Sequence, residues 1–314
     1  VSAKYRKNEN YWQEGRPYLD GVEIYAISEP TTTAMAFKNN EYDIILLNSL
    51  PIAKELLDSG NYIMETNQSG RGLVGTGLIP NSVSGPFADP KVRQAMCYAI
   101  DSDALVKTFG YGLLETTNQW AKVGAPTYNP NVKGYPYNPE KAKQLLAEAG
   151  YPDGFDTVLY TDAGKKDMFT AAANMLTEVG IRCTVNLIDD PTQVNLYSTG
   201  TWEGVMGHYH SISPDLGLFM GRHLDPTGAF YAKGIQHPQE SLDLLEKVRR
   251  APTEKEKREL EWQLQELIYD KLALFGKPLY ISNEPVFKYD YVKDDKMHIC
   301  HYYLWEPENT WLNK

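Results

Sequence analysis

From Trp202 to Asp215 the chain reads Trp-Glu-Gly-Val-Met-Gly-His-Tyr-His-Ser-Ile-Ser-Pro-Asp, a dense run of side chains able to contact a ligand. His208 and His210 are two apart, so an extended segment points both the same way. With a third ligand they could hold a metal; as neutral imidazoles they would serve as hydrogen-bonding groups instead. Two histidines do not make a metal site, and no metal is assigned. Trp202 and Tyr209 suit either stacking on a solute or a place in the core. Arg222 and His223 suit an anionic group or a solvated surface pair. Asp215 either meets the ligand or caps a helix begun by Leu216, Leu218 and Phe219. The candidate ligand-binding set is therefore Trp202, His208, Tyr209, His210, Asp215 and Arg222.

Catalytic patterns are missing from the sequence. It has no G-x-S-x-G, H-E-x-x-H or P-loop motif, and Gly75-Thr76-Gly77-Leu78-Ile79-Pro80 lacks the third glycine of a dinucleotide loop. The 41 Asp and Glu include no pair whose surroundings would set their pKa values apart. No catalytic residue and no cofactor are assigned, and a binding protein is expected rather than an enzyme. The formal charge of −10 repels nucleic acid and anionic membrane surfaces. A length of 314 residues with 42% hydrophobic content is enough for two domains with real cores. No run of about 20 apolar residues is present. Val1 opens the chain without a basic and apolar leader. Cys97, Cys183 and Cys300 are far apart and odd in number, which favours buried free thiols.

These residues must be positioned by a mixed order of helices and strands. Val22, Ile24 and Ala26 alternate as a half-buried strand, a short helix follows from Pro30 to Asn39-Asn40, and Tyr42 to Leu46 reads as a strand. Asp89 caps a helix with Pro90 at its first position and Val92, Met96 and Ala99 on one face. Asn138 caps another, with Pro139 first, Leu145 and Leu146 inward and Gly150 as the left-handed stop. Asp167 to Val179 reads as a helix stopped by Gly180, ahead of an alternating strand at Ile181, Cys183, Val185 and Leu187. Thr253 and Glu256 form a capping box for a helix lined by Leu260, Leu264, Leu267 and Ile268. Val286 to Tyr291 and Met297 to Tyr303 read as strands.

Two of these segments, Gly85 to Asp101 and Tyr137 to Tyr151, resemble the PF-x-D-x-x-VRQA-x-x-x-AID and YNPEKAKQLLAEAG signatures of the family 5 extracellular solute-binding proteins. The stretches Asn8 to Val22, Ala36 to Asp43 and Leu176 to Val185 are similar to further family elements, with Glu9 in place of the usual proline and Asn40 in place of glycine. The resemblance runs from Asn8 to the aromatic stretch His301-Tyr302-Tyr303-Leu304-Trp305. It implies an α/β, periplasmic-binding-protein-like fold of type II in the peptide-binding cluster, with two lobes. Residues 1–80 are then part of lobe I, 81–283 form lobe III, and 284–314 return into lobe I. Full-length members carry an N-terminal portion ahead of Asn8, so lobe I is expected to be incomplete.

Function follows from the same resemblance. It implies an extracytoplasmic receptor of an ABC importer that holds a peptide or similar small organic solute in an interlobe cleft and delivers it to a permease with its ATPase subunits. The alternatives are a nickel or metal-chelate receptor of the same fold, or a truncated chain with no tight ligand. The family context allows a membrane tether through an N-terminal lipid anchor upstream, and an incomplete lobe I leaves a sheet edge open to self-association. In peptide-binding members a W-x-x-D-x-x-x-P pattern supplies an aspartate for the ligand's amino terminus. Aligned on Pro214, His210 falls at that place, which implies a weaker, pH-dependent contact.

Overall fold

The computed structural model describes residues 2–27, 29–47, 49–65, 74–213, 215–282, 285–296, 305 and 307–314. Two compact units emerge, Val1–Leu73 with Asn283–Lys314, and Val74–Ser282.

The first unit begins with β1 (Ser2–Arg6) and β2 (Gly21–Tyr25), an antiparallel pair. The expected inward face of this strand is not formed: Ile24 is 49% exposed, because β1 is the only described strand that pairs with β2. Helix α1 (Pro30–Lys38) is capped by the Glu29 carboxylate, which accepts from the amides of Thr31 and Thr32. It turns Ala34 and Phe37 inward and ends where Asn40 takes a left-handed φ of 61°. After β3 (Ile44–Leu46), α2 (Leu50–Ser59) and β4 (Ile63–Glu65), the chain leaves this unit. It returns later as a strand that closes an antiparallel three-stranded sheet around Phe37, Tyr62 and Tyr289.

The second unit is built on six strands. In chain order it contains β5 (Val74–Pro80), α3 (Pro90–Tyr98), α4 (Ser102–Phe109), β6 (Leu114–Thr116), α5 (Pro139–Glu148), β7 (Phe155–Thr161), α6 (Lys166–Glu178), β8 (Ile181–Leu187) and α7 (Asp190–Thr199). Then come β9 (Val205–Ser211), α8 (Leu216–Leu224), α9 (Gln239–Arg250), α10 (Glu254–Gln265), a π-helical turn (Glu266–Lys271) and β10 (Lys277–Ser282). The helix starts follow their local signals. Asp89 accepts from the Lys91 amide at 2.7 Å, Asn138 from Lys141 at 3.0 Å, and Thr253 from Glu256 at 3.2 Å. Gly150 and Gly180 take the left-handed stops at φ 89° and 103°. Arg93 is fully buried, and its guanidinium donates to the carbonyls of Phe87, Ala88 and Leu272, tying the start of α3 to the end of the π turn.

Strand order in the sheet is β6-β10-β5-β9-β7-β8, with β7 parallel to both β8 and β9 and the other pairs antiparallel. Cys97 is buried and Cys183 half-buried; both are free thiols, pushed up to about 12 by burial. Back in the first unit lie β11 (Val286–Lys288), β12 (Val292–Lys293) and β13 (Trp311–Leu312). The strand expected to run to Tyr291 stops early, because a turn closed by the Val292 amide on the Tyr289 carbonyl ends it. Met297 to Tyr303 and Cys300 lie outside the described residues. No helix among the described residues is long and apolar enough to cross a membrane.

Candidate functional site

Strand polarity defines one distinctive end of the six-stranded sheet. The chain enters the second unit at Val74 and leaves it at Ser282, and these two residues are register partners. On the other side of β5, Val74 faces Ser211, the last residue of β9. Since β7 runs parallel to β9 and to β8, Thr161 and Leu187 end at the same side. Three parallel C-terminal ends therefore meet at the end where the chain crosses between units, the place where open α/β sheets carry ligands.

Each of these strands runs into a helical turn capped by an aspartate. Asp162 accepts from the Lys165 amide at 3.1 Å, Asp189 from Thr192 at 2.9 Å, and Asp215 from Leu218 at 2.8 Å. The caps occupy these helix amides, which leaves the charged side chains beside them as the groups free to differ from an ordinary helix start. Lys165 pairs with Asp162 at 2.6 Å and stands 5.4 Å over the Tyr209 ring, whose hydroxyl donates to Asp190 Oδ1 at 2.8 Å. The half-buried Tyr209 thus sits in a clasp of Asp162, Lys165 and Asp190. Hydroxyls continue across the same sheet face, because Tyr209 is registered with Thr76 and Thr76 with Tyr280.

His208 and His210 point the other way. Their register partners are Gly77 and Gly75, and there the indole of Trp120 lies directly on the strand. A Cβ at Gly75 would fall 2.4 Å from the Trp120 ring, so this close approach needs glycine. Trp120 meets His210 edge-on at 5.2 Å, and Tyr197 stacks between His208 at 4.6 Å and Trp202 at 5.8 Å. His223 from α8 completes the group, 4.7 Å from His210 and with Nδ1 3.2 Å from the Tyr197 hydroxyl. All three imidazoles are nine-tenths buried, and His208 Nδ1 and His210 Nε2 have no hydrogen-bond partner. Burial, then the neighbouring positive charges, lowers their pKa values: His208 to about 3, His223 to about 4, and His210 well below its ordinary value. No group of three His, Cys, Asp or Glu among the described residues is placed to hold a metal ion.

The six residues singled out in the sequence fall in three places. Trp202, at 1% exposure, belongs to the core cluster with Tyr197, Phe219 and Phe275, and its ring rests on Gly234. His208 and His210 line that same core. Tyr209 alone faces the charged clasp. Asp215 and Arg222 come together in an open groove of about 560 Å³ that also takes in Asp225, Arg249 and Lys257. Two ion pairs close within it, Asp215 with Lys257 and Asp225 with Arg249, each at 2.6 Å, while the Arg222 guanidinium lies 4.5 Å over Phe230. Burial alone would raise the Asp215 carboxyl, but Lys257 and the Leu218 amide outweigh it and hold it below its ordinary value. Asp162, Lys165 and Asp190 escaped the sequence reading because they look like ordinary helix starts. The signal that could have found them is that each follows the end of a strand.

Residues 1–231 match the model of the bacterial extracellular solute-binding proteins, family 5 (middle). The chain belongs to this family. It is 37% identical over 157 residues to heme-binding protein A of Haemophilus influenzae, a match covering 50% of this chain and 28% of that protein. Against the glutathione-binding protein GsiB of Escherichia coli (strain K12) it is 30% identical over 252 residues, covering 73% of this chain and 47% of GsiB. The matched part is thus less than half of these relatives' length. The solved structure of the periplasmic binding protein DppA from Helicobacter pylori, in complex with the peptide STSA, superposes with a TM-score of 0.80 at 24% identity and covers 100% of this chain and 60% of that one. The fold is that of the type II periplasmic binding proteins, as the helix signatures implied.

Proposed function

We propose that the chain is the solute-recognising part of an ABC importer's receptor, with Val74–Ser282 as lobe III and the rest as part of lobe I. A peptide or similar small organic solute is held at the sheet end where β7, β8 and β9 finish. The observation that carries this reading is the convergence of three parallel strand ends and a charged clasp at the point where the chain crosses between units. Family membership supports the receptor role, an extracytoplasmic location, a permease partner and the absence of catalysis.

Anchoring chemistry on this reading differs from the alignment at Pro214. His210, at 4% exposure, faces the core, which speaks against it as the group that replaces the family's aspartate. Asp190 and Asp162 offer carboxylates to a solute ammonium, while Lys165 answers a carboxylate and Tyr209 gives an aromatic face. That combination fits a zwitterionic, peptide-like solute. The buried histidines lend no support to the metal-chelate alternative, because their partners are aromatic core residues.

Titration calorimetry with short peptides and glutathione tests the site. Asp190→Ala and Lys165→Ala are each expected to weaken binding about tenfold or more, the scale of a lost charge-assisted hydrogen bond, with an unchanged melting temperature. Undiminished affinity in both variants would remove the clasp from the solute site.

A further inference from the structure

Three histidines in one core are chemically expensive to protonate, and the elements that bear them are specific. His208 and His210 come from β9 and His223 from α8, while α7 contributes Tyr197 between them. A second tie joins α7 to β9, since the buried Gln193 amide donates to the Gly207 carbonyl at 2.9 Å. Helices α7 and α8, which follow β8 and β9, the two strands that flank β7, are therefore held on β9 by contacts that include these imidazoles.

We propose that His208, His210 and His223 form an acid-sensitive latch that holds α7 and α8 on β9, so that acid loosens these two helices while the α3–α5 layer stays folded. The surroundings of the cluster select the uncharged rings. The charges acting on it are Lys165, in the turn after β7, Arg222 of α8, and the other imidazoles. From β5 it meets Gly75 and Gly77, and from α7 it meets Tyr197, kept protonated by burial; Tyr269 of the π turn accepts from the Trp120 amide instead. Glu261 of α10 reaches the Gly217 amide at the start of α8, where burial raises its pKa. His237 stacks on Tyr231 and also meets the backbone of His223, a bond that favours its charged form, while burial lowers its pKa. A proton added to His208 Nδ1 or His210 Nε2 would create a donor with no acceptor. Of the three latch rings, His223 has a backbone hydrogen bond, with Phe230, that favours its charged form.

The sign follows from linkage. The closed core holds neutral rings, whereas the loosened state exposes them to water and takes up protons below their ordinary pKa of 6.5. The closed state is fully favoured above that pH and loses ground as pH falls toward 4, near where His223, less shifted than His208, titrates in the closed core. Helices α3 and α5 contain no histidine and serve as an internal reference.

Hydrogen exchange of the chain between pH 7.5 and 4.5, corrected for intrinsic rates and read by mass spectrometry, tests the latch without any solute. Below about pH 6 the opening of α7 and α8 should rise by up to tenfold per pH unit for each histidine freed, with α3 and α5 unchanged. His210→Leu should lower that slope by one proton, and His223→Gln by another. If a variant fails to fold, the contrast between the two helix layers in the unaltered chain still decides. Loss of protection in both layers at one pH, or a flat profile in α7 and α8, would overturn the proposal. Acid release of solute would follow, because Asp189 and Asp215 start these helices at the clasp end; that consequence alone rests on the receptor reading.

Discussion

The two units solve the same stability problem by different means. Val74–Ser282 buries a continuous apolar core that includes Ile79, Trp120, Trp202, Met206, Phe219 and Phe275. The first unit leaves Trp12 80% exposed, Tyr5 59% and Ile24 49%, and its interior includes a charged knot. There Lys288, 10% exposed, reaches Glu65 at 2.7 Å and Asp295 at 2.5 Å. Burial would lower the lysine pKa, but the two carboxylates outweigh it and raise it. The difference teaches where sensitivity lies. A packed aromatic core is vulnerable to lost volume, a buried ion group to a lost partner, and an exposed aromatic surface to neither.

Truncation in the apolar core should have the largest effect. Trp202→Ala removes a side chain packed on Tyr197 and Gly234, and should cost about 3 to 5 kcal/mol in urea unfolding of the second unit. A loss below about 1 kcal/mol would show that the ring contributes little to this core. In the first unit, Lys288→Ala leaves the Asp295 carboxylate, 1% exposed, beside Glu65 without the lysine's charge. The expected loss is about 3 kcal/mol, the low end for breaking a buried pair. Lys288→Met, which keeps the stem but not the charge, should recover little of it, whereas a packing defect would be largely repaired. The smallest effect belongs to Trp12→Ala. At 80% exposure it should shift unfolding by no more than about 0.5 kcal/mol, and a larger loss would show that this part of the first unit packs more firmly than its surface implies.

The helix starts at Asp89, Asn138 and Thr253 and the stops at Gly150 and Gly180 were legible in the sequence, because each depends on residues within a few positions of one another. Strand β8 was legible from its alternation, and the family signatures carried the fold. The alternation of β9 also announced that His208 and His210 share a face. It could not say which face, since that depends on what β5 presents across the ladder. Gly75 and Gly77 open that side of the sheet to the Trp120 indole, 45 residues downstream of Gly75. Tyr197, Trp202 and His223 then close over it from other elements. The same packing turns Tyr209 outward to Asp190 and Lys165. Local hydrogen bonds and side-chain periodicity are written in consecutive residues, whereas the choice between core and clasp was decided by volumes and charges brought together only by the fold.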